Sequence, residues 1–331
     1  MSLKEIKKLT GYSYSTISRV LNGKAEQFRI SKRTCRKILK AAEKLDYRPN
    51  ILARSLRLRK TMTIGLMVSD IRNPFFGEMG SIIEKILREH GYSTILCNTN
   101  EVPEIEELYL KILDDRQVDG IIVVPVHTTE WDYMKTMKRY PPIVLLDRVL
   151  YRTKLPWVTS ENRAAAEKLT NELIDLGYRK IAFLGGIPNT YISLVRYHGF
   201  QDAFKKRGLK LNKNVILFKG YSTEAGEEMM EEILRNNPDL EAVFCVNNLV
   251  FFGAAKVARE FERKEKRSLM MAGFDISHYS YLLERPLLSA DQNINALAKA
   301  VVEILMGLIN KVPLEKPQVT LPIAINKHLL K

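Results

Sequence analysis

The sequence predicts a small all-α head at the N-terminus and an α/β body built from two parallel-sheet units. Three observations predict this fold class. Residues 1–60 contain 17 Lys and Arg against 4 Asp and Glu, a net charge of +13, whereas the other 271 residues contain 35 against 34. The same head contains three short helical patterns. From about residue 61 onward, apolar strands alternate with amphipathic helices.

Capping and turn signals delimit the helices of the head. Ser2 and Glu5 have the spacing of a capping box, and Ser13 and Ser31 can each cap a following helix. Gly11 can turn the chain between the first two helices. The predicted helices are 3–9, 14–21 and 31 to about 45, and the third has Ile38, Leu39, Ala42 and Leu45 on one face. Two short helices joined by a glycine turn and covered by a third are typical of a helix-turn-helix unit.

The second helix of such a unit enters the major groove of DNA and places its N-terminal residues at the base edges. Tyr14, Ser15 and Thr16 occupy these positions, and Arg19 follows one turn later. Arg can hydrogen-bond guanine through two donors, and Ser and Thr can bond bases or phosphates. A small helical bundle without a ligand fits the same pattern. The one-sided basic charge nevertheless favours double-stranded DNA as the partner, with no membrane contact.

Residues 49–60 are predicted to link the head to the body. Pro49 stops the third helix, and Asn50 can cap a short helix that runs to about residue 56. A helix of this length is marginal in water on its own, so we expect it to fold when it binds DNA. The predicted domains are a head over 1–48, a linker over 49–60 and a body over 61–331.

The strands predicted in the body are 63–68, 93–98, 120–125, 143–146, 181–184, 242–246 and 269–273. Amphipathic patterns between them predict helices, among them 77–90, 105–116, 163–176 and 223–235. Continuous apolar strands that alternate with helices indicate buried parallel sheets. More than 260 residues of this pattern exceed what one core usually holds, so two units are expected.

The sequence disfavours membrane, disulfide-rich, metal-binding and nucleotide-binding classes. No apolar run reaches the roughly 18 residues of a membrane span, and the N-terminus lacks the apolar core of a signal peptide, which predicts a cytoplasmic protein. Three widely spaced Cys and five His have neither disulfide nor metal-ligand spacing. Neither glycine-rich phosphate-binding motif occurs. We therefore expect no cofactor, no metal and no catalytic residues, and we do not expect an enzyme.

Five segments carry motifs whose order and spacing are specific. They are Ser13-x-x-Thr16-Ile17-Ser18-Arg19-Val20-Leu21-Asn22-Gly23, Tyr47-Arg48-Pro49-Asn50, Ala53-Arg54-Ser55-Leu56, Ile64-Gly65-Leu66 and Asp70-Ile71-x-Asn73-Pro74-Phe75-Phe76. Together they resemble the lactose/galactose-repressor (LacI/GalR) family of bacterial transcription regulators. The resemblance extends over essentially the whole chain.

The resemblance implies a repressor that binds a palindromic operator as a homodimer and is controlled by a small molecule. The DNA contacts it implies are Tyr14, Ser15, Thr16, Arg19, Asn22, Asn50, Ala53 and Leu56. Leu56 is the implied minor-groove wedge, which unstacks the central base step and kinks the duplex. The C-terminus lacks a leucine-heptad extension, which predicts a dimer rather than a tetramer.

The resemblance also implies a body of two subdomains, like those of periplasmic sugar-binding proteins. The implied crossovers are near Ser160, Asp291 and Leu321, with an N-subdomain of about 61–160 and 292–321 and a C-subdomain of about 161–291 and 322–331. Ligands of such sheets lie beyond the carboxyl ends of the strands. The effector-binding residues expected there are Asp70, Phe75, Arg148, Arg196, Tyr221, Asn247, Asp275 and Gln292.

The effector implied by the resemblance is a sugar or a sugar derivative such as a sugar phosphate, and a purine is the alternative. Two departures from the family pattern bear on the binding sites. The loop 24–30 is about three residues longer than the commonest form and is similar to that of fructose-type repressors. Asn248 and Glu161 stand where the family usually has Asp, and the longer Glu161 is expected to narrow the cleft.

Two other classes of function stay open at this point. The body alone suits a free sugar-binding protein of a transport system, although the basic head and the absent signal peptide argue against that class. The third class is an enzyme that acts in a cleft of the body.

Overall fold

The computed structural model describes residues 3–21, 23–46, 60–127, 133–139, 141–283 and 285–328. The chain divides into two compact units, Met1–Thr61 and Met62–Lys331. Among the described residues, no helix combines the length and the apolar character that are needed to cross a bilayer.

The described residues of the first unit form three helices: α1 (Leu3–Thr10), α2 (Tyr14–Leu21) and α3 (Lys32–Lys44). Two of the predicted caps form: Ser13 Oγ accepts a hydrogen bond from the amide of Thr16 at 3.2 Å, and Ser31 Oγ accepts one from the amide of Thr34 at 3.1 Å. The third predicted cap, Ser2, lies outside the described residues. The core consists of Ile6, Ile17, Val20, Ile38 and Ala42. Leu39 is 52% exposed, so its predicted place in the apolar face is wrong: it lies about 100° around α3 from Ile38. The predicted helix-turn-helix unit is confirmed.

The second unit is the α/β body. In chain order its strands are β1 (Thr63–Val68), β2 (Ser93–Asn98), β3 (Gly120–Val123), β4 (Ile143–Leu146), β5 (Trp157–Ser160), β6 (Ile181–Gly185), β7 (Ile216–Phe218), β8 (Ala242–Cys245), β9 (Met270–Phe274), β10 (Leu287–Gln292), β11 (Gln318–Leu321) and β12 (Ile323–His328). Its helices are α4 (Pro74–Glu89), α5 (Pro103–Asp115), α6 (Tyr133–Thr136), α7 (Asn162–Asp175), α8 (Tyr191–Lys206), α9 (Thr223–Asn236), α10 (Asn248–Glu265), α11 (Ser280–Leu283) and α12 (Ile294–Ile309), with short 3₁₀ helices at Lys213–Val215 and Ser277–Tyr279.

The strands form two separate sheets. The first has the order β11-β5-β4-β3-β1-β2, and every neighbouring pair is parallel. The second has the order β12-β10-β9-β8-β6-β7, in which β10 and β12 are antiparallel and the other pairs are parallel. The chain passes between the sheets after Ser160, after Gln292 and after Leu321. The predicted body of two doubly wound parallel-sheet subdomains is confirmed.

Glycines allow the helices of the second subdomain to pack closely. A Cβ on Gly199 of α8 would lie 2.2 Å from the carbonyl oxygen of Arg163 on α7. A Cβ on Gly253 of α10 would lie 1.9 Å from the carbonyl oxygen of Thr223 on α9. Only a residue without a side chain fits either contact. These contacts hold α8 and α10 in place, and both helices contribute residues to the cavity described next.

Candidate effector cavity and nucleic-acid surface

A cavity of about 310 Å³ opens beyond the carboxyl ends of the strands, between the two subdomains of the body. Polar loops that follow β1, β2 and β4 line it from one side, and loops that follow β6 to β9 line it from the other. The structure places all eight predicted effector residues along its wall: Asp70, Phe75, Arg148, Arg196, Tyr221, Asn247, Asp275 and Gln292. The volume suits a small molecule of about the size of a monosaccharide.

Arg196 is a buried cation of the cavity wall that is held by neutral groups. Its Nε and Nη2 donate to Asn162 Oδ1 at 2.9 and 2.7 Å, and its Nη1 donates to the carbonyl oxygen of Val246 at 2.6 Å. Its guanidinium carbon lies 3.5 Å from the ring centroid of Phe274. Burial lowers the pKa of Arg196, and the nearby carboxylate of Asp275 opposes that shift. The sequence did not predict Asn162 as the orienting partner, because 34 residues separate it from Arg196.

Asp275 and Gln292 form a second polar group of the wall. The backbone amide of Gln292 donates to Asp275 Oδ1 at 2.9 Å, and Gln292 Nε2 donates to Asp275 Oδ2 at 2.9 Å. The amide oxygen of Gln292 is buried without a hydrogen-bond partner in the described part of the chain. Burial raises the pKa of Asp275 to about 6, while Arg196 acts in the opposite direction. The pair therefore places a carboxylate and an amide in the cavity wall.

Asp147 is a buried carboxylate that was not selected as a site residue from the sequence. It follows β4, has a left-handed backbone with φ of 66°, and is 4% exposed. Its Oδ1 atom has no hydrogen-bond partner among the residues described. Burial raises the pKa of Asp147, and the charges of Arg196 and Arg148 oppose the rise. A buried acceptor without a partner is costly to the fold, and Asp147 belongs to the cavity wall.

Arg148 is paired within the first subdomain. Its Nη1 and Nη2 donate to the two carboxylate oxygens of Glu101, each at 2.6 Å, and Nη2 also reaches Ser69 Oγ at 3.3 Å. The Glu101 carboxylate raises the pKa of Arg148, although burial opposes it. The guanidinium lies 5.1 Å from the ring centroid of Tyr221, which belongs to the second subdomain.

Tyr221 and Asn247 bond mainly to the protein itself. The Tyr221 hydroxyl lies within hydrogen-bonding distance of Thr190 Oγ1 and accepts from the amide of Ser193 at 3.2 Å. Asn247 Nδ2 donates to the carbonyl oxygen of Tyr221 at 3.2 Å, and its Oδ1 caps α10 by accepting from the amide of Val250 at 2.9 Å. These two side chains shape the wall, and their polar atoms are already engaged.

Asp70 and Phe75 lie on the side of the cavity formed by α4. Asp70 accepts from Arg72 Nε at 2.9 Å and from Arg72 Nη2 at 3.0 Å. Phe75 and Phe76 pack edge to face with centroids 5.1 Å apart, and both are buried in the wall. Glu161 is exposed and is absent from the wall, so the expectation that it narrows the cleft is wrong. Glu161 immediately precedes α7 and is exposed, whereas the next residue, Asn162, is buried against Arg196.

Asn248 joins the two subdomains across the cavity. Its Nδ2 donates to Asn73 Oδ1 at 3.0 Å, and Asn73 Oδ1 also caps α4 by accepting from the amide of Phe75 at 3.0 Å. Both Asn side chains are buried. Because the cap turns the acceptor oxygen of Asn73 toward position 248, that position must supply a donor. Asn supplies one, and an ionised Asp, the usual residue of the family, does not.

Asn248→Asp is expected to lower the free energy of unfolding by about 1–3 kcal/mol, because it places a carboxylate against the Asn73 oxygen and removes a buried hydrogen bond. Urea unfolding at pH 7 measures the effect. The matched control is Asn293→Asp at the exposed cap of α12, where Oδ1 accepts from the amide of Ala296 at 3.0 Å and a carboxylate does the same. Equal effects of the two substitutions would contradict this role of Asn248.

The predicted nucleic-acid surface is on α2 of the head. Tyr14 is 46% exposed, and Ser15 and Arg19 are also exposed, while Thr16 is half-buried. The Arg19 guanidinium carbon lies 3.8 Å from the ring centroid of Phe28. The other four predicted DNA contacts, Asn22, Asn50, Ala53 and Leu56, lie outside the described residues.

Comparisons with known proteins match both units. Residues 2–50 match the bacterial regulatory proteins of the lacI family, and residues 61–320 match the periplasmic binding proteins and sugar binding domain of the LacI family. The chain is 29% identical to the ribose operon repressor of Halalkalibacterium halodurans, covering 97% of this chain and 94% of the relative. It is 30% identical to the catabolite repressor/activator of Escherichia coli K12, covering 97% and 96%.

Solved structures extend the likeness to the fold. The Lac repressor dimer bound to operator and the anti-inducer ONPF has a TM-score of 0.83 at 18% identity, covering 99% of this chain and 98% of that one. A LacI transcriptional regulator from Alkaliphilus metalliredigens complexed with D-xylulofuranose has a TM-score of 0.68 at 26% identity, covering 80% and 98%. With a helix-turn-helix head and a cavity-bearing two-subdomain body, both matched over nearly their whole length, the chain belongs to the LacI family of bacterial transcriptional regulators.

Proposed function

We propose that the chain represses transcription by binding a palindromic operator as a homodimer, and that a small uncharged sugar in the cavity changes its affinity for DNA. The observation that carries the proposal is the charge balance of the cavity wall. Among the described residues, its cations are Arg72, Arg148, Arg196 and Lys219, and its carboxylates are Asp70, Glu101, Asp147 and Asp275. Four positive and four negative groups leave no net charge to attract an ionic ligand.

An uncharged sugar fits this wall better than a sugar phosphate. Three of the four cations already contact carboxylates: Arg72 with Asp70 at 2.9 Å, Arg148 with Glu101 at 2.6 Å and Lys219 with Glu232 at 3.2 Å. Helix N-termini attract anions, but α4, α9 and α10 are each capped by a side chain of the wall: Asn73, Ser222 and Asn247. A phosphate group would therefore have to displace existing contacts.

The remaining polar groups match the chemistry of sugar hydroxyls. The Asp147 carboxylate and the Gln292 amide belong to the cavity wall, and each can accept a hydrogen bond from a sugar hydroxyl. Phe75 supplies an apolar surface for the carbon skeleton. A similar regulator is complexed with D-xylulofuranose, an uncharged sugar. The Tyr221 ring is packed so closely on Gly186 that a Cβ there would lie 2.0 Å from it, so that face of the ring is not available to stack on a purine.

We further propose a binding role rather than a catalytic one, in the cytoplasm where the operator DNA is. Among the described residues, no group of three or more His, Cys, Asp and Glu is arranged to hold a metal ion. Cys97 and Cys245 are buried, and burial raises the pKa of the Cys97 thiol to about 11, which keeps it protonated and unreactive.

Selection from sheared genomic DNA tests the DNA-binding part of the proposal. The purified chain, at fixed near-physiological salt, is mixed with the fragments, and the bound fraction is sequenced. We expect a palindrome of two half-sites, recovered less efficiently by Leu56→Ala. The selection is run with and without metabolite extract, since a co-repressor is one form of control by an effector. Recovery of no motif in either condition would contradict sequence-specific repression.

A further inference from the structure

The loop 24–30, between α2 and α3, holds an exposed aromatic ring against α2. Phe28 is 42% exposed, and its ring centroid lies 3.8 Å from the guanidinium carbon of Arg19. We propose that Phe28 is a positioning residue that fixes the plane of the Arg19 guanidinium and so sharpens the base preference of α2. The proposal rests on the proposed DNA-binding function.

Hydrogen bonds and apolar packing fix both ends of the loop to the head, so the loop can hold Phe28 in a defined position. At its start, the amide of Lys24 donates to the carbonyl oxygen of Arg19 at 2.9 Å, and at its end the amide of Ile30 donates to Ala25 at 2.9 Å. Ala25 and Ile30 also pack against the apolar core of the head. The amide of Phe28 donates back to Lys24 at 3.3 Å. Phe28 is therefore presented from a closed turn whose two ends are anchored.

Stacking leaves the hydrogen-bonding edge of Arg19 available. A guanidinium above an aromatic ring interacts through its flat face, whereas its N–H groups point outward in the plane. Bidentate recognition of guanine needs those N–H groups in the plane of the base. An unsupported Arg on a helix surface has many rotamers, and ordering it opposes binding. The Phe28 ring removes part of that disorder before DNA arrives.

The test compares Phe28→Ala and Phe28→Trp with the unsubstituted chain and with Arg19→Ala. Each is measured on the selected operator and on operators with single base-pair changes. We expect Phe28→Ala to lower operator affinity by about 2- to 5-fold per half-site, the range of an exposed cation–π contact. Phe28→Ala should weaken discrimination at the same base pair as Arg19→Ala does. The loss of affinity should disappear when Phe28→Ala is made in the Arg19→Ala background, and Phe28→Trp should retain the affinity of the unsubstituted chain. Gln27→Ala, on the exposed part of the same loop, is the matched control.

Three outcomes would overturn the proposal. A loss that persists in the Arg19→Ala background would assign Phe28 a direct DNA contact, and an equal loss on all operators would assign it a structural role. The third outcome is measured by NMR on the free protein. We expect the side-chain Nε–H and methylene resonances of Arg19 to show an upfield ring-current shift, and we expect Phe28→Ala to remove it. Absence of that shift would overturn the positioning role. A chain with the shift but without any preferred DNA sequence would instead contradict the proposed function.

Discussion

Replacing Arg196 with Met is expected to lower the affinity for the effector sugar by about 10- to 100-fold and to abolish the response of DNA binding to it. Hydrogen bonds from charged donors contribute about 1.5–3 kcal/mol each, and Arg196 is the cation of the wall that is oriented by neutral groups rather than by a paired carboxylate. Calorimetric titration measures sugar binding, and operator titration with and without sugar measures the response. Operator affinity without sugar should stay unchanged.

The same helix supplies the control for this substitution. Arg207, which follows α8, is partly exposed and pairs with Asp175 on the surface at 2.7 Å. Arg207→Met removes an equal charge from the same region and should leave sugar binding intact. Arg196→Lys keeps the charge but cannot reach both Asn162 and Val246, so it should resemble Arg196→Met. A normal sugar response in Arg196→Met would remove Arg196 from the site.

Asp147→Asn is expected to stabilise the fold and to weaken sugar binding. The pKa of Asp147 in the fold is raised above its ordinary value of 3.8. The ionised carboxylate therefore destabilises the fold, and this cost is absent below about pH 3.8 and grows as the pH rises past it. Asn is neutral, has nearly the same shape and tolerates the left-handed backbone at φ of 66°. The free energy of unfolding should rise by about 1–3 kcal/mol at pH 8 and change little near pH 4.

The binding half of this prediction has the opposite sign. A carboxylate bonds a hydroxyl more strongly than an amide does, so sugar affinity should fall by about 10-fold or more. Urea unfolding at two pH values and calorimetric titration measure the two effects. Asp175→Asn, which removes a surface carboxylate that is 52% exposed, should change neither. A variant that is less stable at pH 8, or that binds sugar normally, would contradict the assignment of Asp147 as a ligand-facing acceptor.

Strands with continuous apolar character were predictable from the sequence. β1 and β4 begin and end where the pattern predicted, because each is buried along a parallel sheet. β2 also has the predicted bounds, although it lies at the edge of its sheet and is partly exposed. β5, β7, β10, β11 and β12 were not predicted as strands. Two of these strands, β11 (Gln-Val-Thr-Leu) and β12 (Ile-Ala-Ile-Asn-Lys-His), are partly polar and lie at the edges of the two sheets. Their strand structure therefore depends on pairing with strands that are distant in the sequence, and their composition alone does not predict it.

The loops that line the candidate site were predictable from the sequence, but the hydrogen bonds between their side chains were not. The rule that ligands lie beyond the carboxyl ends of parallel strands, together with the family resemblance, selected eight residues that the structure places on one cavity wall. Asp147, Asn162 and Asn248 gain their roles from partners far away in the sequence. Asn248 and Asn73, for example, are separated by 175 residues. Local pattern contains no information on which buried groups meet, or on which of them lack a partner.

The central claim is that an uncharged sugar in the cavity controls DNA binding. The most direct measurement is the affinity of the full-length chain for its selected operator, by fluorescence anisotropy at fixed salt, with and without saturating pentoses, hexoses and their phosphates. We predict that at least one uncharged sugar changes the operator affinity by roughly 5- to 150-fold, in either direction, and that Arg196→Met removes the change. A response to sugar phosphates alone, or sugar binding that leaves operator affinity unchanged, would contradict the account.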